Sequence, residues 1–141
     1  MVNEEIKNGE EYGDTFANYT DKSVLVVEDE YVSSQLICKI LNKYFKVETV
    51  ENSEDCLKKL SEKKFSLIFM DINLGSGSSG LDIVKQIRCD KKYTDTPIVA
   101  TTAYAMPGDK DEFIKAGCSD YLSKPFTKDK MLNLLKGIKI S

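Results

Sequence analysis

With 141 residues, 41% of them hydrophobic and 30% charged, the chain is long enough for one domain whose core needs no disulfide or metal staple. A net charge of −3 with no Lys/Arg cluster argues against direct nucleic-acid contact, and no run approaches the roughly 20 apolar residues of a membrane span. There is no histidine, and Cys38, Cys56, Cys89 and Cys118 form no C-x-x-C pair; this argues against zinc and a histidine base, and for small buried or half-buried thiols in a reducing cytoplasm.

Residues 1–21 are polar, carry Gly9 and Gly13, and show no sustained period, so they are expected to form a linker or tail; Tyr12, Phe16 and Tyr19 could pack on the domain that follows, residues 22–141. From Ser23 onward, strand and helix patterns alternate five times. Apolar runs rich in β-branched and aromatic residues predict strands at Ser23–Val27, Lys46–Val50, Ser66–Met70, Pro97–Thr101 and Asp120–Leu122. Leu36, Ile37, Ile40, Leu41 and Tyr44 make a helical stripe after the first strand. Asn52 or Ser53 can cap the second helix, which runs to about Glu62. Leu81 to Arg88 forms the third, with Ile83, Val84 and Ile87 on one face. Pro107 suits the first turn of the fourth and Gly117 its end. Thr127 caps the fifth, whose inner face is Met131, Leu132, Leu134, Leu135 and Ile138. Strictly alternating βα units imply parallel strands joined by right-handed crossovers. The expected fold is a three-layer, flavodoxin-like (βα)₅ doubly wound sheet with strand order 2-1-3-4-5.

That order makes strands 1 and 3 neighbours, so Glu28 and Asp29, ending the first apolar run, meet Asp71, ending the third. Three carboxylates within about 4 Å repel by about 1 kcal/mol per pair in water and about 4 kcal/mol at an effective dielectric of 20. Oxygen-only ligation without His or Cys selects a hard cation, Mg²⁺ or Mn²⁺ in its place. Lys124, past the fifth strand, supplies a fixed cation, and Thr101-Thr102, ending the fourth, supplies one hydroxyl, because alternate residues face opposite sides. Carboxylates, a lysine and a hydroxyl aimed at one crevice are the parts of phosphoryl transfer.

Val26-Val27-Glu28-Asp29-Glu30, Met70-Asp71-Ile72-Asn73, Thr102-Ala103-Tyr104-Ala105 and Tyr121-Leu122-Ser123-Lys124-Pro125-Phe126 resemble, in order, the signatures of the receiver domain of bacterial response regulators and hybrid sensor histidine kinases. The resemblance covers about Lys22 to Ile138. It implies a two-component phosphorelay module with Asp71 as phosphoacceptor, taking a phosphoryl group from the phosphohistidine of a histidine kinase or histidine phosphotransfer protein. It implies Mg²⁺ held by Asp29, Asp71 and the backbone carbonyl of Asn73, with Glu28 acting mostly through water. Lys124 would pair with phosphoryl oxygens, and Thr102 and Tyr121 would switch rotamers, biasing the surface of the fourth helix, fifth strand and fifth helix. Asn73, Ala103 and Tyr104 would flank the phosphoryl group, and the Lys124–Pro125 bond would be cis. A cytoplasmic signalling domain follows, monomeric or weakly dimeric, without membrane contact and not a conventional enzyme.

The pattern departs from the family after Asp71, where a Gly/Ser loop, 75–80, lacks the usual Pro and spells G-x-G-x-x-G. A dinucleotide site is argued against because this loop follows the third strand, and no acid stands about 20 residues later. A phosphorylation-independent pseudo-receiver is the alternative that the intact acids, Thr102 and Lys124 disfavour. A Mg²⁺-dependent phosphohydrolase would need a further acid or base. Only Lys139, Ile140 and Ser141 follow Ile138, so either a stand-alone regulator or a segment of a hybrid kinase is expected.

Overall fold

The computed structural model describes residues 15–75, 79–103 and 106–141. Five strands, β1 (Ser23–Val27), β2 (Lys46–Val50), β3 (Leu67–Asp71), β4 (Ile98–Thr102) and β5 (Asp120–Ser123), alternate with five helices. The helices are α1 (Tyr31–Leu41), α2 (Ser53–Glu62), α3 (Gly80–Arg88), α4 (Asp109–Ala116) and α5 (Lys128–Lys136). All four strand pairings are parallel, in the order β2-β1-β3-β4-β5. The expected doubly wound topology is the one observed.

Side-chain alternation along each strand divides the core in two. Val24 and Val26 of β1 and Leu67 and Phe69 of β3 join Ile37, Ile40 and Leu41 of α1 and Met131, Leu132 and Leu135 of α5. Leu25, Val27, Ile68 and Met70 face the other way, onto Cys56 and Leu60 of α2, Ile83, Val84 and Ile87 of α3, and Phe113 of α4. The central strands β3 and β4 are buried throughout, as parallel strands covered on both faces should be, whereas β2 at the edge is mostly exposed or half-buried.

Local chemistry sets the ends of the helices. Asn52, Ser79 and Thr127 each accept a hydrogen bond from the backbone N–H three residues on. Gly117 ends α4 with φ of 118°, a conformation that favours glycine. At Gly80 the reason is space: a Cβ there would stand 2.3 Å from the Asp71 carbonyl oxygen, so only glycine lets α3 start against the end of β3.

Several details differ from expectation. Pro107 lies in a turn ahead of α4, and Gly108, at φ of 91°, is the residue that admits the helix. Leu36 is exposed, and Tyr44 lies past the end of α1, where it packs on the core from the following turn. β3 and β4 each extend one residue further than the apolar runs suggest, because Asp71 and Thr102 still pair with β4 and β5. Cys89 is exposed, while Cys56 and Cys118 are buried. Phe16 and Tyr19 do pack on the domain, as their aromatic character suggests: Phe16, 1% exposed, fits among Tyr44, Phe45 and Tyr19, the last of which stacks on Phe45 at 5.6 Å. Tyr12 lies outside the described residues.

Candidate functional site

The strand register assembles the site. Val27 pairs with Met70, so Glu28 and Asp71 stand side by side one step beyond; Asp71 pairs in turn with Thr101. Thr102 pairs with Ser123, and Lys124 follows, its N–H donating to the Thr102 carbonyl at 2.7 Å. Glu28 and Asp71 continue the alternation of Val24-Val26 and Leu67-Phe69, which places both on the α1/α5 side of the sheet. Oxygens of Glu28, Asp29 and Asp71 all lie within 4.8 Å of one another.

The three acids differ in environment. Glu28 and Asp71 are buried, and Asp29 is exposed. Lys124 Nζ donates to Glu28 Oε1 at 2.5 Å and stands 3.7 Å from Asp71 Oδ2. Burial, followed by the neighbouring Asp71 carboxylate, pushes the Glu28 carboxyl up to about 7, against the pull of Lys124 and the Glu30 N–H. Burial alone would lower the Lys124 ammonium, but its hydrogen bond to Glu28 and the field of Asp71 outweigh that and raise it. One lysine therefore meets two of the three carboxylates, Glu28 and Asp71, and the rim carries excess negative charge. An all-oxygen donor set with uncompensated charge fits a hard divalent cation such as Mg²⁺.

The loop after β3 closes over these acids. Asn73 donates its N–H to Asp71 Oδ1 at 2.9 Å, and Gly75 donates its N–H to Asp29 Oδ2 at 2.8 Å. The Asn73 side chain accepts from Thr102 Oγ1 at 3.1 Å and from the Ala103 N–H at 3.4 Å. Of the two threonines, Thr102 is thus the one that reaches toward this loop, while Thr101 is also buried. Tyr121 is half-buried, its ring edge-on to Phe113 of α4 at 5.8 Å. The Lys124–Pro125 peptide is cis. Tyr104 lies outside the described residues, as do residues 76–78 of the Gly/Ser loop. Sequence reasoning missed the contacts of Asn73 and Gly75 with Thr102, Ala103 and Asp29. The glycine at 75 was the available signal, since a Cβ there would sit 3.0 Å from Asp29 Oδ2.

Beside the acids, a groove of about 520 Å³ runs from Ala103 and Lys124 past Pro125 and Phe126 to Val32 and Leu36 of α1. Val32 and Tyr31 are 74% and 72% exposed at the start of this helix. Leu36, expected in the core, instead lines this groove.

Among described families, the response regulator receiver domain matches residues 24–136. The polar-differentiation response regulator DivK of Brucella anthropi is 32% identical over 117 residues, covering 82% of this chain and 94% of that protein. The osmosensing histidine protein kinase SLN1 of Saccharomyces cerevisiae is 36% identical over 129 residues; these cover 84% of this chain but only 10% of the kinase. Among solved structures, the chemotaxis response regulator CheY4 of Vibrio cholerae superposes with a TM-score of 0.77 at 30% identity, covering 83% of this chain and 98% of CheY4. The receiver domain of the sensor histidine kinase PA1611 of Pseudomonas aeruginosa, described with a magnesium ion coordinated in its active-site cleft, superposes at 0.74 with 28% identity, covering 83% of this chain and 96% of that one.

Proposed function

The chain belongs to the response regulator receiver domain family of two-component signalling proteins, and from that premise we propose that Asp71 is its phosphoacceptor. The observation that carries this reading is the convergence of three carboxylates and one lysine: oxygens within 4.8 Å of one another, with Lys124 at 2.5 Å from Glu28 and 3.7 Å from Asp71. The reaction is a displacement at phosphorus. A carboxylate oxygen of Asp71 forms the new P–O bond, the P–N bond to a donor phosphohistidine breaks, and the imidazole leaves with the electron pair.

Asp29, Asp71 and the backbone carbonyl of Asn73 would hold Mg²⁺ or Mn²⁺, with Glu28 contributing through bound water. The ion, when bound, neutralises charge on the transferring phosphoryl oxygens. Lys124 moves from its carboxylate partners to a phosphoryl oxygen. Thr102 Oγ1 and the Ala103 N–H donate to the other phosphoryl oxygens. Tyr121 follows Thr102 inward, leaving its contact with Phe113, and this biases the α4-β5-α5 surface. Asn73, Ala103 and Tyr104 flank the group and set its lifetime.

The donor is a histidine kinase or histidine phosphotransfer protein. Its histidine has to reach Asp71, so its surface covers the rim, and the groove that opens there offers Val32, Leu36, Pro125 and Phe126 as an apolar footing. No helix among the described residues is long and apolar enough to cross a membrane.

Intact mass after incubation with Mg²⁺ and acetyl phosphate tests the assignment. A single phosphoryl adduct is expected, lost in Asp71→Asn and in EDTA. If neither an adduct nor a beryllofluoride-dependent NMR shift appears, the reading moves to a phosphorylation-independent interaction module.

A further inference from the structure

The loop after β3 makes contacts whose polarity mirrors that of the ligands assigned to the rim. Asp29, proposed to face the cation, receives the Gly75 N–H at 2.8 Å, and Asp71 receives the Asn73 N–H at 2.9 Å. An amide N–H is the partial positive charge that a carboxylate accepts in place of a metal. Thr102 Oγ1 and the Ala103 N–H, proposed to hold the phosphoryl oxygens, both donate to Asn73 Oδ1. The backbone N–H of Ala103 can only donate, so its partner on Asn73 is the carbonyl oxygen rather than the amide nitrogen. The loop thus offers donors where a cation would sit and an acceptor where an anion would sit, from residues two apart. Gly75 makes this close approach feasible, because any Cβ would press on the Asp29 carboxylate.

We infer that the segment Asn73–Gly75 is an internal ligand of the rim, holding the partners of metal and phosphoryl group together until either one displaces it. The inference rests on the phosphoacceptor reading for its consequence, though not for its geometry. The consequence is coupling. A cation that takes Asp29 from the Gly75 N–H, and that the Asn73 carbonyl would help to hold, repositions the same short segment that engages Thr102 and Ala103, so metal binding frees the donors for the phosphoryl group. Asn73 is a positioning residue in this scheme, acting through Thr102 and Ala103.

Amide hydrogen exchange and ¹⁵N NMR on the 141-residue chain test this without any reaction. In the metal-free protein, Asn73→Ala should strip protection from the Ala103 N–H, whereas Asn73→Asp, which keeps an acceptor at the same place, should preserve it. Titration of the wild-type chain with MgCl₂ should move the Gly75 and Ala103 amides together. Asn73→Ala should bind Mg²⁺ about fivefold more tightly, the equivalent of one hydrogen bond removed from the competing state. Unchanged Ala103 protection in Asn73→Ala overturns the inference. So does saturation with Mg²⁺ that leaves Ala103 unmoved, or an Mg²⁺ affinity that Asn73→Ala does not raise. If these amides respond as expected while wild-type protein gives neither an acetyl phosphate adduct on Asp71 nor a beryllofluoride-dependent NMR shift, the internal ligand stands and the phosphoacceptor reading falls.

Discussion

At the N-terminal rim of the sheet, cations sit on backbone carbonyls; at the C-terminal rim, one lysine sits among three carboxylates. Arg88, at the end of α3, donates to the carbonyls of Tyr93 and Thr96 at 2.6 Å and of Gly117 at 2.9 Å. Lys92 donates to the Leu60 carbonyl at 2.8 Å, and Lys64 donates to the Lys92 carbonyl and to Thr96 Oγ1. These cations answer carbonyls at the end of α2, in the segment between α3 and β4 and just after α4, so the positive charge of this rim is met within the fold. The opposite rim leaves acids facing acids, and its excess charge calls for something from outside. Charge that the fold itself satisfies is structural, and charge that it leaves over is where function lies.

The largest expected effect lies at Arg88. Arg88→Met would leave the carbonyls of Tyr93, Thr96 and Gly117 without their shared partner, at a cost of about 3 kcal/mol in urea unfolding. Arg88→Lys should recover only a fraction, since an ammonium is a single point of charge and cannot span three carbonyls on two segments as the planar fork does. The Mg²⁺ affinity of the other rim should not change in either variant. A matching loss of Mg²⁺ binding would mean that the two rims are not independent.

At the acidic rim, Glu28 makes stability depend on pH. Its carboxyl is raised from 4.5 to about 7, first by burial and then by Asp71. Between those values the folded protein holds a proton that the unfolded chain has released. The associated stabilisation is full below about 4.5, declines through this window and is gone above about 7. In EDTA, wild-type protein should therefore lose on the order of 2 kcal/mol between pH 5 and pH 8 beyond the change in Glu28→Gln. Added Mg²⁺ should stabilise more at pH 8 than at pH 5, because it favours the ionised form. Equal pH slopes in wild type and Glu28→Gln would show that Glu28 is ionised throughout.

Much of this was legible in the sequence, and the reasons differ by residue. Strict βα alternation carried the strand order, and apolar runs ending in Glu28-Asp29, Asp71 and Thr102 carried the meeting of the acids, because burial on both faces leaves little room for polar residues until the chain reaches the rim. Helix faces were less legible. Leu36 reads as core by spacing, yet it lines the groove beside Lys124, where an exposed apolar residue serves a surface. Pro107 reads as a helix start, but the left-handed Gly108 after it moves the start of α4 to Asp109. Arg88 and Asn73 were least legible in what they touch. Their partners are backbone atoms and side chains of distant loops, and no periodicity encodes a contact between a helix end and a carbonyl 29 residues later.

The smallest effect belongs to a second glutamate that also meets lysines. Glu48, on the edge strand β2, lies 2.8 Å from Lys63 and 3.1 Å from Lys59, and these hydrogen bonds, Lys63 first, hold its carboxyl below the ordinary value. The same pairing of residue types thus shifts Glu48 down and Glu28 up, and solvent decides the sign. Around Glu28 burial outweighs the lysine, while Glu48 keeps 31% of its side chain exposed and loses little hydration. A lowered carboxyl contributes stability above its unfolded value and loses it as pH falls through the folded one. For exposed partners that contribution is screened almost entirely. Glu48→Gln should leave the urea midpoint at pH 8 within error of wild type, with any difference at low salt vanishing in 1 M NaCl. A loss that survived high salt would place the Glu48 cluster with the buried rim, and the division between satisfied and unsatisfied charge would then have to be drawn by geometry rather than by solvent access.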